Sequence, residues 1–229
     1  MKTNRGHYRG FRFLPEIISH AVWLYHRLSL SFLDVEGLLA VVVSYETIRK
    51  WCQKFGPLYA RNLRRKQGRL GDIWHLDELF VNIQRSRNYL RRAVDQDGDV
   101  IDILVQRHRN ARAAKRFFRK LLKGQGTPPW RLVTDKLRSY SAAHRTVFPS
   151  VVHDTRQYAN NRAEVSHQPT RQREQRMRRF KSVGQAQRFL AVHGMVQNLF
   201  RFGRHHLRSE NYRFLRDRSF RDWREVSAA

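Results

Sequence analysis

DIWHLDELFVNI, residues 72–83, is the stretch on which the fold turns. Its apolar residues recur with a period near two, which reads as a β-strand. An aspartate, Asp77, stands in the middle. A charge in an apolar strand is costly to bury unless it is paired or bound to metal. Alternation sends Asp77 and its neighbour Glu78 to opposite faces. Asp77 shares its face with His75 and Leu79, at the core-facing spacing, and is the carboxylate expected to point at a site. The ordinary alternative is a solvent-facing aspartate on an edge strand.

Outward from this strand the period is kept and then changes. NYLRRAVD (88–95) and VIDILVQ (100–106) are two more strands, joined by the turn signal Gln96-Asp97-Gly98-Asp99. ARAAKRFFRKLLKG (111–124) is a helix expected to end at Gly124. RLVTDK (131–136) is a short strand, a helical stretch follows near 138–147, and SVVHDT (150–155) is a fifth strand. From about Asn161 onward the chain reads as helical, with LAVHGMVQNLFRFG (190–203) strongly apolar. The order βββαβαβα is that of an α/β, ribonuclease-H-like mixed sheet. That architecture sets one carboxylate midway along the first strand, a second at the end of the fourth, and a third on a late helix. Here these are Asp77, Asp135 and Glu164. For Asp135 the plain alternative is the cap of the next helix; Glu164, taken alone, is equally read as a first-turn glutamate.

Glu164 lies in NNRAEVSHQPTRQREQRMRRFK, residues 160–181, which holds seven Arg or Lys and only two acids. The whole chain is of this kind. Its 229 residues carry 46 Lys and Arg against 19 Asp and Glu, a formal charge of +27. Such an excess fits a polyanionic partner, because basic side chains on phosphates release condensed counterions. A disordered basic tail is a poor fit, since 41% of residues are hydrophobic and 12% aromatic. Arg173, Arg176, Arg178 and Lys181 are the expected phosphate contacts around the third carboxylate. The single cysteine, Cys52, excludes an intramolecular disulfide and a cysteine-rich zinc site. The N-terminus lacks the apolar run of a signal peptide, and no apolar stretch approaches the ~20 residues of a membrane span. The expectation is a cytoplasmic, nucleoid-associated bacterial protein.

The first 66 residues read as helical. PEIISHAVWLYHRL (15–28) has apolar residues at helical spacing, with Pro15 near its start. SFLDVEGLLA (31–40) opens with a capping-box pattern, Ser31 to Asp34. SYETIRKWCQKF (44–55) has Ser44 as N-cap, and Gly56-Pro57 is expected to stop it. Three short helices with a basic last one fit a helix-turn-helix. Its third helix would offer Tyr45, Thr47, Arg49, Lys50 and Gln53 to a DNA groove. A three-helix packing unit is the plain alternative. The division expected is 1–66 helix-turn-helix, 67–205 catalytic and 206–229 a basic C-terminal tail.

Three carboxylates make a hard, oxygen-only site suited to magnesium or manganese. Two such ions serve in-line displacement at a phosphodiester. DQDGDVID (95–102) imitates part of a calcium loop but lacks its remaining spacing and terminal glutamate. His205-His206 lacks the i, i+4 spacing of a helical zinc pair.

SYETIRKWCQKFG, WHLDELFV, YLRRAVDQDGDVIDILVQ, RNARAAKRFFRKLL, VTDKLRSY and NNRAEVSHQPTRQRE together resemble the bacterial insertion-sequence transposases of the IS-six family, in order along nearly the whole chain. The resemblance implies that Asp77, Asp135 and Glu164 form a DDE triad, and that Arg171 is the basic residue on the same helix. It further implies magnesium-dependent cleavage and joining at element ends, double-stranded DNA (terminal inverted repeats and target) as partner, and a homodimer or higher multimer. Three positions depart from the family pattern. Only Val41-Val42-Val43 separate Ala40 from Ser44, where a longer turn with Glu-Arg-Gly is usual, so a displaced or lengthened third helix is expected. Arg91 stands where an aromatic is usual, and Asp154-Thr155-Arg156 replaces a His-Arg-Gln pattern. Two other readings compete: a ribonuclease-H-like nuclease without strand transfer, and a non-enzymatic helix-turn-helix regulator.

Overall fold

The computed structural model describes residues 5–67, 70–156, 159–160, 172–173, 180–202 and 207–228. The chain divides into two compact units, residues 69–191 and residues 1–68 together with 192–229.

The first of these is built on one sheet. β1 (Ile73–Ile83), β2 (Ser86–Val94) and β3 (Val100–Gln106) form an antiparallel meander. β4 (Arg131–Thr134) pairs in parallel with β1, and β5 (Val152–Asp154) in parallel with β4. The five strands lie in the order β3-β2-β1-β4-β5, so β1 is central. This is the ribonuclease-H-like arrangement expected from the element order. The N-terminal helices α1 (Pro15–Arg27), α2 (Phe32–Leu38) and α3 (Tyr45–Lys66) belong to the other unit. α4 (Ala111–Gln125) and α5 (Arg138–Val147) belong to the sheet unit. α4 is started by Asn110, whose side chain accepts from Ala113 N at 2.9 Å. It ends at Gly126 with φ 76°, two residues later than the glycine read from the sequence. Phe117, Phe118 and Leu121 of α4 and Tyr140 of α5 pack with Trp74 and Leu76 of β1 into the main core.

Two turns of the meander use different devices. Between β2 and β3 the Asp95 side chain accepts from the amides of Asp97 and Asp99, at 3.0 and 2.8 Å, and Gly98 takes φ 83°. Those acids are spent on a hairpin, as the sequence indicated, and not on a calcium loop. Between β1 and β2, Gln84 and Arg85 both take positive φ, 49° and 63°. Tight hairpins want this sign at both central positions, normally from Asn or Gly.

The second unit departs from the sequence reading in three places. α3 does not stop at Gly56-Pro57 but runs through both for 22 residues. The buried stripe Trp51, Cys52, Phe55, Tyr59, Ala60 and Leu63 explains this: it continues on one face across the break. Gly56 makes a close approach there: a Cβ would come within 3.2 Å of His26 Nε2. The turn before the third helix is also well formed, despite its three valines. α2 ends at Leu38, leaving five residues, and Ser44 caps α3 by accepting from Thr47 N. Glu36 of α2 accepts from Tyr45 N at 2.8 Å, and no residue of the valine run takes positive φ. Lastly, 206–229 is not a tail. α6 (Val183–Leu199) leads to α7 (Ser209–Ala228), which buries Trp223 and Val226 in this unit. Tyr8 Oη donates to Ser227 O and Asn62 Nδ2 to Val226 O, at 2.5 and 2.9 Å.

Candidate active site

The register of β1 against β4 brings two of the expected carboxylates together. Leu76 is level with Thr134, the last residue of β4; Asp77 follows Leu76 on β1, and Asp135 follows Thr134 just past the end of β4. The register thus brings the two carboxylates to the same level of neighbouring chain segments. Both are half-buried. Since β1 is central, Asp77 is not an edge aspartate. Nor does Asp135 cap the next helix: the cap position of α5 is Leu137, with no side-chain cap bond. Asp135 Oδ1 meets Leu137 N only at 3.4 Å. Core-facing spacing does not by itself choose Asp77 over Glu78, because Leu79 and Val81 are buried on the Asp77 face as well. The main core lies on the side of Trp74 and Leu76, which is the side of Glu78. Register with Asp135, not core-facing spacing, is what singles out Asp77.

Glu78 is buried with two arginines. Its carboxylate lies 2.7 Å from Arg91 Nη2 and 2.5 Å from Arg109 Nε. Arg91 also donates to Gln106 Oε1 at 2.7 Å. Burial raises the Glu78 pKa; Arg91 and Arg109 pull it down and Asp135 pushes it up. The arginine that departs from the family pattern is thus the cross-strand partner of Glu78, Glu78 and Arg91 being directly opposite in register. On the Asp77 face the opposite residue is Arg92, also buried. The sequence reading did not single out Arg92; its signal was the tandem arginine in a strand whose period puts one on each face.

The end of β4 is held by Thr134, whose hydroxyl donates to Asp135 O at 2.8 Å and lies 2.9 Å from His153 Nε2. Asp154, in the second departing pattern, pairs with Arg156: the guanidinium Nη2 donates to Oδ2 at 2.7 Å. These bonds from Arg156 hold the Asp154 carboxyl down at about 2.

Asn160 stands four positions before Glu164 in the sequence. Its buried side chain donates from Nδ2 to the carbonyl of Leu76, at 2.7 Å, one residue before Asp77. Glu164 and Arg171 lie outside the described residues, as do Arg176 and Arg178. Among the described residues no group of three or more His, Cys, Asp or Glu gathers as a metal site. His205-His206 lies outside them as well. Lys181 is exposed, as a phosphate contact should be. Arg173 is not: it is 1% exposed, with its guanidinium 5.3 Å from the Phe189 ring. A guanidinium stacks on an aromatic as readily as it meets phosphate, so a run of arginines does not tell which member turns inward.

In the helical unit Tyr45, Lys50 and Gln53 are exposed on α3, and Thr47 and Arg49 half-exposed. Arg49 Nε donates to Glu46 Oε2 at 2.7 Å, so its guanidinium is oriented along the helix surface. Cys52 is buried, as a small hydrophobe would be.

Comparison with known proteins gives the family of the chain. A family profile described as a DDE domain matches residues 71–203, more than half of the chain. The chain is 28% identical over 209 residues to the transposase for insertion sequence-like element IS431mec of Staphylococcus aureus strain Mu50, covering 88% of this chain and 92% of that one. The same figures hold for the transposase for insertion sequence element IS257 in transposon Tn4003 of S. aureus. Among solved structures, a chain of the simian T-cell lymphotropic virus intasome in complex with PP2A regulatory subunit B56 gamma aligns with TM-score 0.43 and 12% identity. That alignment covers 80% of this chain and 69% of that one.

Proposed function

Because this chain belongs to the DDE-domain family of insertion-sequence transposases, enzymes of DNA cleavage and strand transfer, we propose that Asp77, Asp135 and Glu164 are its catalytic triad. The observation that supports this reading is the β1–β4 register, in which Asp77 and Asp135 each follow the paired Leu76 and Thr134, beside the carbonyl that Asn160 grips. Glu164 enters by its sequence distance from Asn160 and by the family resemblance.

The donor set is made of carboxylate oxygens alone, which fits magnesium or manganese. Such ions, held by the three carboxylates, would supply activation of the attacking oxygen and charge stabilisation at the phosphate. The chain's own residues do the rest. Asp77 and Asp135 orient the scissile phosphodiester from one face of the sheet. Arg92, opposite Asp77, offsets the negative charge that the carboxylates would otherwise present to incoming DNA. Arg171, Arg176, Arg178 and Lys181 hold backbone phosphates near the third carboxylate. Tyr45, Thr47, Arg49, Lys50 and Gln53 on α3 read the terminal inverted repeats in the major groove. The protein acts on double-stranded DNA in the bacterial cytoplasm as a homodimer or higher multimer.

Asp77→Asn, Asp135→Asn and Glu164→Gln are each expected to abolish metal-dependent nicking of a plasmid carrying the element ends. DNA binding should be retained, because phosphate contact comes from the bases. A strand-transfer assay with pre-cleaved ends should show the same loss. Near-normal cleavage by any one variant would remove that residue from the triad.

A further inference from the structure

Phe80 is exposed on a strand that otherwise hides its large apolar side chains. It lies two residues beyond Glu78 on β1, on the same face as Glu78 and the face opposite to Asp77. Its ring is 48% exposed. Tyr89, directly opposite on β2, packs edge-on at 5.5 Å between centroids. Two guanidiniums stand over the ring, Arg87 at 5.2 Å and Arg109 at 5.5 Å. Arg109 is anchored from behind by buried Glu78, whereas Arg87 is exposed. The hairpin tip beyond them carries Arg85 at φ 63°, a conformation that costs a non-glycine residue free energy.

An exposed aromatic ringed by arginines suits a ligand with both a flat π-face and negative charge. Nucleic-acid bases have the first and their phosphates the second. A base in an intact duplex has its faces covered by its neighbours, so only an unpaired base presents one. We propose that Phe80, with Tyr89, Arg87 and Arg109, is a stacking subsite for an unpaired DNA base on the Glu78 face of the sheet. Phe80 and Tyr89 take the base face, and Arg87 takes the adjoining phosphate. The subsite rests on the transposase reading for its choice of DNA, but not on the identity of the triad.

The test is run without divalent metal, so no cleavage occurs and a wrong triad assignment does not affect it. The full chain is titrated with a blunt duplex and with the same duplex bearing a short 3′ overhang that contains 2-aminopurine. The parent protein should favour the overhang and quench the 2-aminopurine. Phe80→Ala and Phe80→Leu should weaken overhang binding about 5- to 100-fold and remove the quench, with blunt-duplex binding held within about twofold. Phe80→Trp should restore both. Arg87→Ala should weaken both DNAs. If Phe80→Leu weakens blunt and overhang DNA equally, or leaves the quench in place, the ring is not a base platform. A parent protein with no preference for the overhang would overturn the proposal as well.

Discussion

Arg91 and Glu78 are both fully buried, and each is the other's cross-strand neighbour. Taking two charges out of water costs several kcal/mol per ion, so such a pair adds little by itself. Removing one member is another matter, because the survivor stays buried without compensation. Arg91→Met is expected to lower the unfolding free energy by about 3–5 kcal/mol. The double variant Glu78→Leu/Arg91→Met should lose clearly less, as a packed apolar pair takes over. Urea denaturation of the single and double variants checks this, and equal losses would show that the two charges are not coupled. The sequence presented Arg91 only as an oddity. Its meaning depends on register, which no local pattern specifies. Asp77 was legible as a charge within an apolar run, yet its face was not, since both faces of β1 carry buried apolar residues. With two covered faces, alternation cannot tell which one holds the site.

At the scale of elements, what was legible followed from periodicity and caps. The three meander strands, α4, α5 and the Ser31 capping box all have local signals that agree with the fold. What was not legible came from tertiary packing overriding a local rule. Gly56-Pro57 is a strong stop signal, and α3 runs through it because four buried side chains beyond Pro57 or just before it, Phe55, Tyr59, Ala60 and Leu63, sit on one face. The proline still has its local cost. It leaves the Gln53 carbonyl without the amide that would normally donate to it. Pro57→Ala is therefore expected to raise stability by about 1–3 kcal/mol, with Gly56 kept for its close approach to His26. The change would show as a higher unfolding midpoint with unchanged helix content. A lower midpoint would mean that the packing of α3 needs the local geometry that proline imposes. The β1–β2 hairpin is the opposite case: Gln84-Arg85 carries no turn signal, and register across nine paired positions enforces the turn regardless.

At the scale of the whole molecule the charge is the dominant fact, and it is not confined to one element. α3 ends in Arg61, Arg64, Arg65 and Lys66, α4 carries Arg112, Lys115, Arg116 and Arg119, and α7 carries Arg213, Arg216, Arg218 and Arg221. Folding the last of these segments into a helix of the N-terminal unit changes how that charge works. A disordered tail would sample phosphates loosely, whereas basic residues on a packed helix present a fixed pattern. Both units can therefore neutralise phosphates, and the binding free energy of the chain should be mostly counterion release. If six to ten phosphates are contacted, a plot of log affinity against log salt should be linear with a slope of about −5 to −9. Affinity would then fall by about 10³ to 10⁵ between 50 and 200 mM salt. The slope should be nearly the same for element-end and random duplexes, because base readout by α3 adds affinity without adding phosphates. Substituting a phosphate-contacting Lys or Arg by alanine should make the slope shallower by about one, on both DNAs alike. Substituting Gln53, a candidate base reader, should leave the slope unchanged and weaken only the element end. A salt-independent affinity, or a slope that Gln53→Ala alters as much as Lys181→Ala does, would show that the charge does not serve the role its magnitude suggests.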